Sequence, residues 1–293
     1  MTKNVRIYEV GPRDGLQNEA SLIPTQSKVA LIDLLSQAGF DRIEATSFVS
    51  PKWVPQLADA SEVMRGINRR DGTTYAALVP NLNGFERARA AGVTEVAVFA
   101  AASEAFSQKN INCSIKESLI RFEPILETAQ EAGISVRGYV SCVVACPYAG
   151  EVDPTSVRDV AFALHDMGCY EISLGDTIGK ASPDKTMRMI EAVGDYLPMN
   201  RLAGHFHDTD NLAIENVAAA LEMGVRTFDS SIGGLGGCPY APGAKGNLST
   251  SALVTFLQEH GFATGIDPDL LAQAGRFVSG ILARESQNKG ERP

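Results

Sequence analysis

The sequence predicts an α/β fold, a (β/α)8 TIM barrel with extra C-terminal helices, and three observations predict it. Runs of strand type recur eight times, one punctuation mark closes the helical stretches between them, and polar residues collect where the runs end. The runs are Val5–Val10, Arg42–Ala45, Thr74–Val79, Glu95–Ala100, Ser135–Val140, Glu171–Leu174, Leu202–Phe206 and Thr227–Asp229. Several are short and apolar, as parallel strands buried on both faces should be. Strands and helices in alternation suggest a closed barrel. A doubly wound open sheet is the alternative, disfavoured because no G-x-G-x-x-G follows the first strand.

The punctuation mark is a glycine after the last apolar residue of a helical pattern. It occurs in Ala38-Gly39-Phe40, Ala91-Gly92-Val93, Ala132-Gly133-Ile134, Met167-Gly168-Cys169 and Met223-Gly224-Val225. Glycine there is the usual left-handed helix stop. Before the first mark, Leu31, Leu34, Leu35 and Ala38 follow helical spacing, with Thr25 expected as N-cap. After Asn247 come two further helical stretches, Ser249–Glu259 and Pro268–Arg284, then a polar tail from Glu285 that is expected to fray. The expected organisation is one domain over residues 1–285 and a tail over 286–293.

A chain of 293 residues with 44% hydrophobic and 21% charged residues has the composition of an ordinary globular protein with a large core. A net charge of −9 argues against nucleic acid or an anionic membrane as partner. No apolar run approaches a membrane span, and the N-terminus enters a strand without a signal-peptide or Arg-rich transit pattern. Five cysteines, an odd count, favour reduced thiols and a cytoplasmic location. Cys142-x-x-x-Cys146 has no second Cys/His pair at zinc-finger spacing, so no structural zinc is read.

Chemistry in such a barrel sits at the carboxyl ends of the strands. After the first strand come Gly11-Pro12-Arg13-Asp14-Gly15, and the second ends in Glu44. The fifth ends in Arg137 and Tyr139, the sixth in Ser173 and then Asp176-Thr177, the seventh in His205 and His207, the eighth in Asp229. Side chains alternate along a strand, so His205 and His207 face one way and can grip one divalent ion. Each group alone has a plainer reading: a pair of core histidines, a surface Arg13–Asp14 pair, an Asp176 helix cap. Asp14, His205, His207 and Asn247 around one mouth favour the ion. Oxygen and nitrogen donors without thiolate suit Mg²⁺ or Mn²⁺, with Zn²⁺ or Co²⁺ as substitutes. Glu44 and Asp176 then read as groups that orient the ligands or Arg13.

Between the eighth strand and Asn247, the stretch from Gly233 to Asn247 holds six glycines in 15 residues and one thiol, Cys238. A loop of that length and composition reads as a lid whose backbone approaches a ligand, rather than a floppy connector.

On these motifs the chain resembles the hydroxymethylglutaryl-CoA lyase family, within the metal-dependent acyl-CoA lyase and Claisen-condensing barrels, over about residues 5–285. The resemblance is carried by Val10-Gly11-Pro12-Arg13-Asp14-Gly15-Leu16-Gln17-Asn18-Glu19, the stretch from Glu44 to Gln56, Lys109-Asn110-Ile111-Asn112-Cys113-Ser114, Arg137-Gly138-Tyr139-Val140-Ser141-Cys142, Ser173-Leu174-Gly175-Asp176-Thr177-Ile178-Gly179 and the loop 233–247. The loop element Gly233-Gly234-Leu235-Gly236-Gly237-Cys238-Pro239 is particular to the lyases, whereas the Arg13-Asp14-Gly15 element is shared with the condensing synthases. The resemblance implies a carbon–carbon lyase of leucine breakdown and ketone-body formation that splits 3-hydroxy-3-methylglutaryl-CoA into acetyl-CoA and acetoacetate. It implies metal ligation by Asp14, His205, His207 and Asn247, enolate stabilisation by Arg13, support by Glu44 and Asp176, and Cys238 on a mobile loop. It implies an acyl-CoA substrate, a homodimer and Mg²⁺ or Mn²⁺. Lys109, Asn110, Tyr139 and Ser173 are further pocket candidates. A lyase for a related 3-hydroxyacyl-CoA and an acetyl-CoA-dependent 2-oxoacid synthase are the alternatives.

The chain departs from the family at two places. Asp210-Asn211-Leu212 stands where an aromatic or basic residue and a glycine are usual, and Thr250-Ser251-Ala252 where Thr-Glu-Asp is frequent.

Overall fold

Eight parallel strands close on themselves in sequence order. The structure is a computed structural model that describes residues 3–237 and 246–290. The barrel strands are β1 (Arg6–Glu9), β2 (Arg42–Ser47), β3 (Thr74–Leu78), β4 (Glu95–Ala101), β5 (Ser135–Ser141), β6 (Glu171–Asp176), β7 (Leu202–Phe206) and β8 (Thr227–Ser230), with β8 pairing back onto β1. The helices are α1 (Thr25–Gln37), α2 (Ala60–Gly66), α3 (Leu82–Ala90), α4 (Glu104–Ile111), α5 (Ile115–Ala132), α6 (Pro154–Asp166), α7 (Pro183–Gly194), α8 (Ala213–Glu222), α9 (Thr250–Glu259) and α10 (Pro268–Gly290). Each predicted strand agrees with an observed one to within a few residues. All five predicted stop glycines have positive φ: 99° at Gly39, 75° at Gly92, 66° at Gly133, 114° at Gly168 and 101° at Gly224.

Two local expectations, the cap of α1 and the end of α10, are corrected, and one plainer reading, the Asp176 cap, is set aside. Pro24, not Thr25, caps α1; Thr25 is the first helical residue and its hydroxyl donates to Asp59 instead. Asp176 does not cap α7, whose N-cap is Ser182. Its carboxylate accepts from the backbone N–H groups of Lys180 and Ala181 and so shapes the loop after β6. The last helix continues to Gly290 rather than stopping at Arg284. Among the described residues, no helix is long and apolar enough to cross a membrane.

The main apolar core lies between barrel and helices, where residues such as Ile32, Phe85, Leu164 and Val217 are fully buried. The barrel interior is different: much of it is polar. Glu95 and Glu171 open β4 and β6 and are buried, and the Tyr8 hydroxyl donates to Glu95 at 2.6 Å. Arg137 is fully buried with its guanidinium over the Tyr8 ring, 4.1 Å from the centroid. Buried charges persist only when paired. Here the pairing builds a column that leads up to the carboxyl ends of the strands.

Candidate active site and ion-binding cluster

The site begins with one carbonyl. Val10 O accepts the N–H groups of Arg13, Asp14 and Gly15 at 3.2, 2.7 and 3.1 Å. That wraps Gly11–Gly15 into a single wide helical turn, with Pro12 at a helix start where no N–H is needed. The turn projects Arg13 and Asp14 over the mouth of the barrel.

Arg13 is buried rather than a surface residue. Its Nε donates to Glu44 Oε2 at 2.6 Å and its Nη1 to Asp14 Oδ1 at 2.6 Å. Glu44 reaches it because the pairing of β2 with β3 slips between Glu44 and Thr46, a bulge of the kind that re-aims side chains beside active sites. The Tyr139 hydroxyl donates to the same Glu44 oxygen at 3.2 Å. Burial opposes the charge on Arg13, but Glu44 and Asp14 overcome it and raise its pKa, so the guanidinium is permanently cationic.

The two histidines come together as expected. Their Nε2 atoms lie 3.4 Å apart. His205 Nδ1 is 3.1 Å from Asp229 Oδ2, which also accepts from Ser173 Oγ at 2.7 Å and from Arg137 Nη1 at 3.1 Å. Arg137 Nη2 adds a second bond to Asp229 Oδ1 at 2.7 Å, and its Nε donates to Glu171 at 2.8 Å. Burial works to raise the Asp229 pKa, yet Arg137 and His205 hold it below the ordinary carboxylate range. An ionised Asp229 holds a proton on His205 Nδ1 and turns Nε2 toward the cluster.

Asn247 is delivered by a short ladder. Leu248 N donates to Phe206 O, Ser231 N to Leu248 O, and Thr250 N to Ser231 O. Residues 246–250 therefore insert between the ends of β7 and β8. Asn247 Nδ2 donates to Asp14 Oδ2 at 2.7 Å and to Leu235 O at 3.0 Å, and its backbone bridges to His207. Gly236 is needed here: its φ is +99°, and a Cβ on it would lie 2.5 Å from Asn247 Nδ2.

Asp14, His205 and His207 each offer a ligand atom, and these atoms lie within 4.8 Å of one another. Burial acts to raise the Asp14 pKa, but Arg13, His205 and the Asn247 amide bring it down to about 2. Burial, then His205, lowers His207 to about 4. Burial acts to lower the His205 pKa, but Asp229 and then Asp14 outweigh it and raise it, so the cluster is a carboxylate, a neutral His207 and a His205 whose Nε2 proton a bound cation would displace. Two imidazole nitrogens and a carboxylate brought this close, with no thiolate among them, fit a small divalent cation.

Of the remaining sequence candidates, Glu44, Tyr139 and Ser173 join this network. Asp176 stands beside His205 in the sheet register, one residue removed, and acts on it electrostatically. Lys109 and Asn110 lie exposed at the end of α4. Cys238 lies outside the described residues. Asp229 was visible in the sequence only as a strand end, with no role. The signal that finds it is register: Asp229 lies directly opposite His205 on the neighbouring strand. Asp229→Asn should keep the fold and weaken divalent-ion affinity roughly 10- to 100-fold, the usual cost of losing the partner of a ligating histidine. Isothermal titration with Mn²⁺ measures it, and wild-type affinity would detach Asp229 from the cluster.

The HMGL-like family model matches residues 4–278. The 3-hydroxy-3-isohexenylglutaryl-CoA/hydroxy-methylglutaryl-CoA lyase of Pseudomonas aeruginosa is 55% identical over 289 residues, covering 99% of this chain and 96% of that protein. The mitochondrial hydroxymethylglutaryl-CoA lyase of Bos taurus is 55% identical over 287 residues, covering 98% of this chain and 88% of that protein. The crystal structure of hydroxymethylglutaryl-CoA lyase from Pseudomonas aeruginosa superposes with a TM-score of 0.94 at 57% identity, covering 96% of this chain and 94% of that one.

Proposed function

The chain belongs to the HMGL-like family, and from that premise we propose that it is a hydroxymethylglutaryl-CoA lyase: it cleaves 3-hydroxy-3-methylglutaryl-CoA to acetyl-CoA and acetoacetate. The observation that carries the reading is the contact between a buried, permanently charged Arg13 and an Asp14–His205–His207 cluster at one barrel mouth. Retro-Claisen cleavage needs both parts: a place to ionise a tertiary hydroxyl and a cation for the enolate that leaves.

Asp14, His205, His207 and Asn247 are the residues we assign to hold a divalent ion, Mg²⁺ or Mn²⁺. Such an ion, when bound, supplies Lewis-acid polarisation of the substrate hydroxyl. The hydroxyl proton passes to the Asp14–His205–His207 cluster. The bond between C2 and C3 then breaks: its electron pair goes to the thioester fragment as an enolate, and the other fragment becomes the ketone of acetoacetate. Arg13 sits where it can stabilise the enolate oxygen, and Glu44 with Tyr139 keeps it there without reorganisation during the step. The enolate carbon takes a proton to give acetyl-CoA. Cys238, or a water it positions, is the acid we assign to this step, and full turnover by Cys238→Ser would remove it.

The test is product analysis. Purified protein with divalent ion and hydroxymethylglutaryl-CoA should give acetyl-CoA and acetoacetate in equal amounts; no ketone product would exclude the activity. A second reading, a lyase for a larger 3-hydroxyacyl-CoA, is favoured by the Pseudomonas relative's second substrate. It is also favoured by the departure at Asp210, which here makes a two-oxygen ion pair with Lys180 at 2.9 Å across the loops after β6 and β7. Comparing kcat/KM for the methyl and isohexenyl substrates separates the two.

A further inference from the structure

Glu9, the last residue of β1, is fully buried and touches none of the groups assigned to the reaction. Its Oε1 accepts from Gly11 N and from Ile232 N, each at 2.8 Å. Its Oε2 accepts from Thr250 Oγ1 at 2.7 Å, and that hydroxyl lies 2.9 Å from Ser230 Oγ. The three donors belong to three separate pieces of the site. Gly11 opens the turn that carries Arg13 and Asp14. Ile232 stands between the end of β8 and the glycine-rich loop. Thr250 opens α9, just beyond the ladder that delivers Asn247.

We propose that Glu9 is a positioning residue: one buried carboxylate fixes the separation of Asp14 from Asn247 and thereby presets the cluster for its ion. The inference rests on the reading of that cluster as a divalent-ion site. Two further observations support it. The packing leaves no slack, since a Cβ on Gly11 would lie 2.5 Å from Glu9 Oε1 and 2.7 Å from the Ile232 side chain. The carboxyl is also kept at a cost: burial pushes its pKa up to about 7 against its three hydrogen bonds, and its partners are amides and a hydroxyl, not a cation. A core position needing only volume would be filled more favourably by an apolar side chain.

The geometry also says which replacement works. In Glu9→Gln the amide oxygen accepts both backbone N–H groups, and the amide nitrogen donates to Thr250 Oγ1, whose own proton turns to Ser230. In Glu9→Ala both N–H groups lose their acceptor, and Thr250→Val removes only the third contact.

The test is Mn²⁺ affinity, measured by electron paramagnetic resonance on the full-length protein and its variants, with Tm recorded for each. Glu9→Gln should bind Mn²⁺ as the wild type does. Glu9→Ala and Thr250→Val should bind at least about tenfold more weakly. Thr250→Val carries the test if Glu9→Ala does not fold. Wild-type affinity in Glu9→Ala or Thr250→Val, whatever their Tm, overturns the inference, as does a Gln variant as weak as the Ala variant. A wild-type protein that binds no Mn²⁺ would instead overturn the ion site itself, and the positioning role with it.

Discussion

Arg13→Met lowers kcat at least about a hundredfold and leaves divalent-ion affinity no weaker than in the wild type. The size follows from what a single preorganised donor is worth when it stabilises charge that develops only in the transition state. The direction of the second effect follows from the site. Arg13 donates to Asp14 Oδ1 at 2.6 Å and competes with an ion for that carboxylate, so its removal frees the ligand. Methionine keeps the stem's packing while deleting the charge. Steady-state kinetics with an ion titration checks both. A variant with normal kcat and raised KM would show that Arg13 only holds substrate charge.

His205→Ala and His207→Ala each weaken ion binding on the order of tenfold or more and abolish most turnover. The pair is not equivalent in its support. His205 is backed by Asp229, itself held by Arg137 and Ser173, and Arg137 is held in turn by Glu171. His207 is backed by the Asn247 segment, which reaches it through the ladder beyond β8. Loss of His205 also leaves Asp229 without one of its partners in a buried site, so that variant should be the less stable of the two. Mn²⁺ titration and thermal unfolding measure these separately. Unchanged affinity in both variants would return the pair to an ordinary role as core histidines.

Much of the fold was legible because glycine stops and short apolar runs are local signals. Gly39, Gly92, Gly133, Gly168 and Gly224 all terminate helices in the left-handed region, where few other residues are at ease. The ligand candidates were legible for a different reason. A parallel barrel carries every strand's carboxyl end to one face, so Asp14, Glu44 and His205 converge once the strands are counted. The rest depended on facts that no single stretch contains. Arg137 was read as a strand-end residue, yet it lies deep in the barrel because its partners Glu171 and Asp229 are on other strands. Asp229 acquired a role only when parallel register set it opposite His205. Glu9 gave no sequence signal at all: an acid beside a Gly-Pro turn looks like a surface residue until two distant segments are seen to donate to it. Asp176, expected to orient the ligands or Arg13, acts on His205 electrostatically, and its hold on the loop after β6 through two backbone amides was not legible because those donors lie four and five residues further on.

The most direct measurement is acetoacetate release from hydroxymethylglutaryl-CoA by metal-stripped protein before and after Mg²⁺ or Mn²⁺ is restored. The account predicts almost no product from the stripped protein, and recovery that saturates with one ion per chain. Full activity after exhaustive chelation would contradict it.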